Sequence, residues 1–243
     1  MNQFPSPPPV LSGTGLCKSF GATRALDGVD VAVHAGESLA VMGPSGSGKS
    51  TLLHCLGNIE RPDSGEVLLG GERIDQLREP ARSELRRTRF GFVFQFGQLL
   101  PELPAVENVA LPLMLGGTDR RTAVQRARQW FAPLGLAGKE DHRPGALSGG
   151  QAQRVALARA LVGGAQVVFA DEPTGALDQA TGQDVIRLLT QITRQQNAGL
   201  VVVTHDESVA RWCDRTVRVR DGRIVRETAE PGSPAGAGTG AAR

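Results

Sequence analysis

The stretch that most constrains the fold is GPSGSGKST, which runs from Gly43 to Thr51. It lies between an apolar run, SLAVM, and a segment with helical character, STLLHCLGN. Its glycines permit a tight loop whose backbone N–H groups can surround an anion, and the dipole of the following helix favours negative charge there. The sequence therefore predicts a strand, a phosphate-binding loop and a helix in succession.

The polar residues of this loop predict a nucleoside triphosphate and Mg²⁺ as ligands. Lys49 would reach the β- and γ-phosphates, and the Ser50 hydroxyl would ligate Mg²⁺. A chance glycine-rich turn is the alternative, because the chain has 31 glycines. That alternative requires one of only three lysines to fall by chance where the motif needs it. The predicted phosphate-binding residues are Gly43, Pro44, Ser45, Gly46, Ser47, Gly48, Lys49, Ser50 and Thr51.

Two neighbouring carboxylates follow a short apolar run, QVVFAD, which predicts a strand buried on both faces. In P-loop enzymes an aspartate at the tip of such a strand holds Mg²⁺, which predicts this role for Asp171. Glu172 comes next, so its side chain is expected to point away from that of Asp171 and to polarise an attacking water. The alternative is that both carboxylates only begin a turn before Pro173.

His205 follows a second buried run, LVVVT. It is expected at the carboxyl edge of the same sheet, where open α/β folds bind ligands. Position alone leaves both a structural and a functional role open for this histidine.

A second candidate anion site is LSGGQ, from Leu147 to Gln151, which opens a helical run. Free N–H groups and the helix dipole favour negative charge at such a position. The alternative is an ordinary helix start capped by Ser148, and both descriptions can hold at once.

Strands that alternate with helices indicate an α/β fold with a mainly parallel core sheet. The first strands look more antiparallel, and a helical subdomain is expected at about residues 100–160. TVRVRDGRIV predicts a hairpin with an Asp-Gly turn. One ordered domain is expected over residues 12–228. Disorder is expected in the segments 1–11 and 229–243, which are rich in Pro, Gly, Ala and Ser.

Composition narrows the function classes. The net charge of +2 gives no large basic field of the kind that marks nucleic-acid binders. Three widely spaced cysteines predict reduced thiols. The first residues lack the pattern of a secretory signal, and no apolar run approaches the ~20 residues of a membrane span. We therefore expect a soluble, cytoplasmic chain.

In this order, the phosphate-binding loop, LSGGQ, VVFADEP and TH resemble the ATP-binding-cassette ATPases, a family of P-loop NTPases. The resemblance extends from about Leu11 to Thr228. It implies ATP and Mg²⁺ as cofactors and a head-to-tail dimer in which each ATP lies between the loop of one subunit and the LSGGQ of the other. The second anion site would thus serve the partner's nucleotide, through Ser148, Gly149, Gly150 and Gln151.

The resemblance also implies individual roles. Glu172 matches the catalytic glutamate and His205 the switch histidine at the γ-phosphate. Gln95 matches a glutamine that contacts Mg²⁺ and the attacking water and lies beside the transmembrane partner. Asp178 matches an aspartate that communicates across the dimer. Phe20 matches the aromatic residue that stacks on adenine, where the family most often has tyrosine.

FVFQFGQLLPELPAVENVALPLML and ADEPTGALDQATG resemble a branch with macrolide exporters, the lipoprotein-releasing ATPase and a cell-division ATPase. This branch implies a permease on a separate chain, a second ATPase subunit, and a location on the cytoplasmic side of the membrane. Export of antibiotics, peptides or lipoproteins and force transmission without transport both stay open. The apolar LLPEL segment could contact the permease or pack within its own subdomain. A single cassette with weak charge disfavours action on nucleic acid or ribosomes.

Overall fold

A computed structural model describes residues 8–229. The strands are β1 Leu11–Phe20, β2 Thr23–Val33, β3 Ser38–Met42, β4 Ser64–Leu69, β5 Glu72–Arg73, β6 Phe90–Phe94, β7 Val167–Asp171, β8 Gly199–Val203, β9 Arg215–Arg220 and β10 Arg223–Ala229. The helices are α1 Lys49–Leu56, α2 Glu79–Thr88, α3 Ala105–Leu115, α4 Arg120–Arg128, α5 Gly149–Leu161, α6 Gln179–Gln195 and α7 Glu207–Ala210. No helix within the described range is both long and apolar enough to cross a membrane.

The strands form two sheets. The six-stranded sheet has the order β10-β9-β3-β8-β7-β6, and all its neighbours are parallel except the hairpin β9–β10. The four-stranded sheet, β2-β1-β4-β5, is antiparallel. This arrangement confirms the predicted α/β fold with a mainly parallel core sheet and an antiparallel part built from the early strands.

The central strands β3, β7 and β8 are buried because their sequences are almost wholly apolar. Helix α1 and the antiparallel sheet cover one face, where Leu52 and Leu16 belong to the same apolar cluster. Helices α5 and α6 cover the other face through residues such as Leu157 and Val185. Parallel strands covered on both faces end at a common edge, and the loops that follow β3, β7 and β8 therefore meet there.

The helices between residues 105 and 161 share a third apolar cluster. Val109 of α3, Ala123 of α4 and Val155 of α5 all belong to it, and Phe131 is fully buried within it. Helix α4 ends at Arg128, and turns follow it over residues 129–135. Pro133 disfavours helical backbone at the residue before it, which is consistent with the turns that follow α4.

The prediction of disorder over residues 1–11 is wrong at its end, because the Val10 carbonyl accepts from the N–H of Gly70 and Leu11 begins a strand. Leu11 begins β1, is fully buried and pairs with Val33 and Leu69 on its two neighbours. Burial of this leucine favours an ordered chain despite the prolines before it. The prediction of disorder over residues 229–243 is wrong at its first residue, because Ala229 pairs with Arg215 in the last hairpin. Residues 1–7 and 230–243 lie outside the described part of the chain.

Candidate active site

The loop between β3 and α1 has a backbone that only glycine can provide at two positions. Gly43 has φ 152° and Gly48 has φ 105°. A Cβ atom on Gly43 would collide with the carbonyl oxygen of Val219, and one on Gly48 would collide with that of Ala25. The phosphate-binding loop is therefore packed directly against the backbones of β9 and β2.

The polar side chains of this loop lie inside it. The ammonium of Lys49 donates to the carbonyl of Pro44 at 2.8 Å, and the residue is only 8% exposed. The Ser47 hydroxyl is shielded from solvent and has no hydrogen-bond partner among the described residues. An enclosed ammonium, an unsatisfied hydroxyl and closely packed glycines fit a polyphosphate, which supplies the missing acceptors.

The predicted metal ligands Ser50 and Asp171 are brought together from distant parts of the sequence. The Ser50 hydroxyl, at the start of α1, donates to Oδ1 of Asp171, at the end of β7, over 3.3 Å. Burial raises the pKa of Asp171 above its usual value, and the hydrogen bond from Ser50 opposes this shift. A hydroxyl and a partly desolvated carboxylate are hard oxygen donors of the kind that Mg²⁺ prefers.

Gln95, the third predicted metal ligand, directly follows β6, the edge strand next to β7. Phe94 is in register with Asp171, so Gln95 emerges at the same edge of the sheet. Its amide lies over Gly175, where a Cβ atom would be 2.9 Å from Nε2. The structure thus places Gln95 between β6 and the loop that follows Glu172.

Glu172 has an unusual backbone and a well-defined set of partners. Its φ of 46° is in the left-handed region, which is uncommon for a glutamate and is often found at functional sites. Its N–H donates to the carbonyl of Val203 at 2.9 Å. Its Oε1 accepts a hydrogen bond from Nδ1 of His205 at 2.8 Å. The Glu172 carboxylate therefore has different partners from those of Asp171.

Thr204 also contacts Glu172, and sequence reasoning missed it. Its hydroxyl donates to Oε2 of Glu172 at 3.3 Å and accepts from the N–H of Asp206 at 3.0 Å. The residue is 1% exposed. The only sequence signal for Thr204 was its place in the TH pair, directly before His205.

One cavity of about 590 Å³ is lined by part of this site. Its walls come from the phosphate-binding loop, the start of β2 and the ends of β7 and β8: Thr23, Ala25, Ser45, Gly46, Gly48, Lys49, Ser50, Thr51, Glu172, Val203 and His205. Lys49, Ser50, Glu172 and His205, which come from separate motifs, thus face one volume, whereas Asp171, Gln95 and Phe20 do not line it. No residue of the LSGGQ segment lines it.

The LSGGQ segment lies elsewhere, and Ser148 caps the helix that begins there. The Ser148 hydroxyl accepts from the N–H of Gln151 at 3.3 Å, and the Gln151 side chain accepts from the N–H of Ser148 at 3.0 Å. This capping box leaves Ser148 and Gly149 exposed. A Cβ atom on Gly150 would collide with the methyl group of Thr181, so a larger residue there would have to displace that side chain.

Asp178 caps helix α6 beside this segment. Its carboxylate accepts from the N–H of Thr181 at 3.0 Å, and hydrogen bonds from the Thr181 side chain and backbone lower its pKa. Since Thr181 also contacts Gly150, one threonine links Asp178 to the LSGGQ segment. Asp178 lines a second cavity, of about 380 Å³, together with Glu172 and His205.

Phe20 presents an open aromatic face near the first cavity. It ends β1, pairs with Thr23 across the hairpin and is 52% exposed. The Lys18 ammonium lies 5.4 Å from the ring centroid and also bonds to Glu60 at 2.7 Å. A ring held in this way offers a stacking surface for a base.

The segment that carries Gln95 is held by α5, which sequence reasoning also missed. Gln153 donates to the carbonyl of Phe94 at 2.9 Å. Arg159 donates to the carbonyls of Gly97 and Gln98, both at 2.7 Å. Burial lowers the pKa of Arg159. The helix that begins at the LSGGQ segment therefore also positions the Gln95 segment.

Comparison with known proteins gives a consistent result. The ABC transporter family profile matches residues 26–175. The lipoprotein-releasing system ATP-binding protein LolD of Geobacter metallireducens is 46% identical over 222 residues, 90% of this chain and 99% of that protein. The macrolide export ATP-binding/permease protein MacB of Burkholderia lata is 48% identical over 202 residues. That match covers 83% of this chain but only 29% of the MacB protein.

Two solved structures share the fold. The dimeric bacterial ABC transporter cassette MJ0796 is 37% identical with a TM-score of 0.83, and the match covers 92% of this chain and 100% of that chain. A dimeric post-hydrolysis state of the same cassette, bound to ADP and phosphate, has a TM-score of 0.82. These matches confirm the predicted fold class.

Proposed function

Because the chain belongs to the ABC transporter ATPases, we propose that it powers a membrane complex that extracts lipid-anchored proteins from the bilayer. Like other members of this family, it binds ATP with Mg²⁺ and hydrolyses ATP. The proposal that the complex extracts lipid-anchored proteins rests on the similarity to LolD, which this chain matches over 99% of that relative's length. In this complex the chain binds a separate permease at the cytoplasmic face of the membrane.

The residues around the first cavity divide the work of hydrolysis. Lys49 and the loop N–H groups hold the phosphates, and Phe20 stacks on the base. Ser50, Asp171 and Gln95 would hold Mg²⁺, which neutralises charge on the phosphates. Glu172 accepts the proton of the attacking water, and the N–H of His205 keeps its carboxylate directed into the cavity.

A second copy of the chain completes the site. The first cavity has no wall from residues 148–151, although Ser148 and Gly149 are exposed at a helix start suited to an anion. Two copies arranged head to tail would place the Ser148 hydroxyl and α5 of one copy against the phosphates held by the other. ATP then stabilises the dimer, because it contacts both copies only in the closed state.

The single observation that carries the two-copy site is the separation of Ser148 from the cavity that Lys49 and Glu172 line. The test is the dependence of ATPase rate on protein concentration, with Ser148→Arg as a variant that blocks the helix start. We expect turnover per molecule to rise with concentration and to be lost in S148R, which should still bind ATP as a monomer. Full turnover by a dilute monomer would overturn the proposal that two copies complete the site.

Macrolide export is a second candidate, because the MacB relative is 48% identical. The two candidates are distinguished by reconstituting the chain with its permease in liposomes. ATP-dependent release of a lipid-anchored protein supports extraction, and ATP-dependent movement of a macrolide supports export. If the permease stimulates ATP hydrolysis but neither a lipid-anchored protein is released nor a macrolide is moved, the complex transmits force without transport.

A further inference from the structure

The side chain of Lys18 lies largely inside the chain, near the end of β1. It is 12% exposed, and its ammonium donates to the carbonyl of Arg61 at 2.8 Å. The same ammonium lies 2.7 Å from Oε1 of Glu60 and 3.3 Å from Oδ1 of Asp63. These three acceptors match the three donors of an ammonium, so its position is fixed. The hydrogen bond to Glu60 raises the pKa of Lys18, which keeps the ammonium charged.

This fixed cation lies over the ring of Phe20. The distance from the Lys18 ammonium to the ring centroid is 5.4 Å, within the ~6 Å range of cation–π attraction. Phe20 is nevertheless 52% exposed, so the face opposite the cation is the one open to a ligand. Thr23, which pairs with Phe20 in the hairpin, lines the first cavity. The ring therefore stands at the edge of the space where the base of a nucleotide is expected.

The acceptors of Lys18 are tied to two parts of the nucleotide site. The N–H of Glu60 donates to the carbonyl of His54, in the last turn of α1, at 3.0 Å. The carboxylate of Asp63 accepts from the N–H of Ser19, next to the residue that carries the ring, at 2.7 Å. Helix α1 begins at the phosphate-binding loop. The same helix therefore carries the phosphate-binding groups at its start and anchors the cation behind the ring at its end.

Two physical effects follow for a base stacked on this ring. A ring whose position is already fixed loses little conformational freedom on binding, so the affinity is not reduced by the cost of ordering it. A cation over one face also draws the π-electrons of the ring toward itself, which makes the far face less negative. The π-electrons of a base are then repelled less by that face.

We propose that Lys18 is a positioning residue for nucleotide binding, which holds the Phe20 ring with its free face toward the base and strengthens the stack. Lys18 does not line the first cavity, so it acts through the ring and not by touching the nucleotide. This inference rests on the proposed function, in which Phe20 binds the base. It predicts that Lys18 affects the binding of ligands that carry a base and not of ligands that lack one.

The test compares ADP, which carries the base, with pyrophosphate, which lacks it. Binding of each to the full chain with Mg²⁺ is measured by isothermal titration calorimetry. Lys18→Met keeps the apolar stem and removes the charge, so it should weaken ADP binding about 2- to 10-fold and leave pyrophosphate binding unchanged. Lys139→Met, the same change outside the site, should alter neither. Unchanged ADP binding in K18M, or an equal loss for both ligands, would overturn the positioning role.

A double-mutant cycle shows whether Lys18 acts through the ring. Phe20→Ala should weaken ADP binding about 5- to 150-fold, the usual loss for one base stack. In the F20A chain, K18M should cause no further loss, because no ring is left to hold. A further loss as large as in the unchanged chain would overturn the inference about Lys18, while Phe20 would keep its role. Unchanged ADP binding in F20A would overturn the role of Phe20 in the proposed function as well.

Discussion

The Oε1 atom of Glu172 lies 2.8 Å from Nδ1 of His205. A carboxylate can only accept, so Nδ1 carries the proton and the opposite ring nitrogen is free to face solvent. The two side chains differ in exposure, at 22% for Glu172 and 73% for His205. The histidine therefore supports the carboxylate from the open side of the site, where the phosphates of a bound nucleotide are expected.

Replacing the Glu172 carboxylate by an amide removes the proton acceptor while it preserves the shape of the side chain. For Glu172→Gln we expect ATP binding to persist, turnover to fall ~10²–10⁴-fold, and an ATP-bound dimer to accumulate. Phosphate release and light scattering measure these effects. Glu207→Gln, an exposed glutamate in α7, is the matched control. Turnover of E172Q at the rate of the unchanged chain would remove Glu172 from its assigned role.

Thr204 is a positioning residue for Glu172. Thr204→Val keeps the shape but removes the hydroxyl, so kcat should fall roughly 2- to 10-fold, as expected for one lost hydrogen bond, with little change in KM. Thr204→Ser should restore the rate because it restores the hydroxyl. The pH–rate profile of T204V should also shift. If T204S is as slow as T204V, restoring the hydroxyl does not restore the rate, and the positioning role assigned to that hydroxyl fails.

Asp171 should destabilise the nucleotide-free chain at neutral pH. Burial raises its pKa, so the folded state holds its proton more tightly than the unfolded state does. The penalty is absent below the ordinary pKa and reaches its full size above the raised pKa. Asp171→Asn should thus raise the melting temperature at pH 7 without Mg²⁺ and abolish the extra stabilisation by Mg²⁺ with ATP. A lower melting temperature in D171N without ligand would contradict this account.

Lys49 should matter for binding and little for folding. Its ammonium has one hydrogen-bond partner in the described structure, the Pro44 carbonyl. Lys49→Ala should therefore lower ATP affinity severely while the thermal melt followed by circular dichroism changes little. Lys139→Ala, a lysine outside the site, is the control. Unchanged ATP affinity in K49A would show that the loop binds phosphate through its backbone alone.

Several features were predictable because they depend on short stretches of sequence. The phosphate-binding loop is contiguous in sequence. Its glycines are needed because the backbone has positive φ there and because neighbouring backbone segments approach it closely. Strands β7 and β8 were evident because burial on both faces requires nearly continuous apolar sequence. Strand β1 was not predicted, since β-bulges between Gly13 and Ser19 disturb the alternation of its buried residues.

The sequence by itself determined the chemistry: which side chains can hold phosphate, Mg²⁺ and a proton, and at which strand ends they stand. Only the tertiary structure decided which groups meet. The Thr204 hydroxyl on Glu172 and Arg159 on the Gln95 segment both depend on side-chain contacts that no local pattern encodes. The physical reason is that hydrogen bonding and desolvation depend on three-dimensional neighbours, whereas periodicity and motif spacing report only on neighbours along the chain.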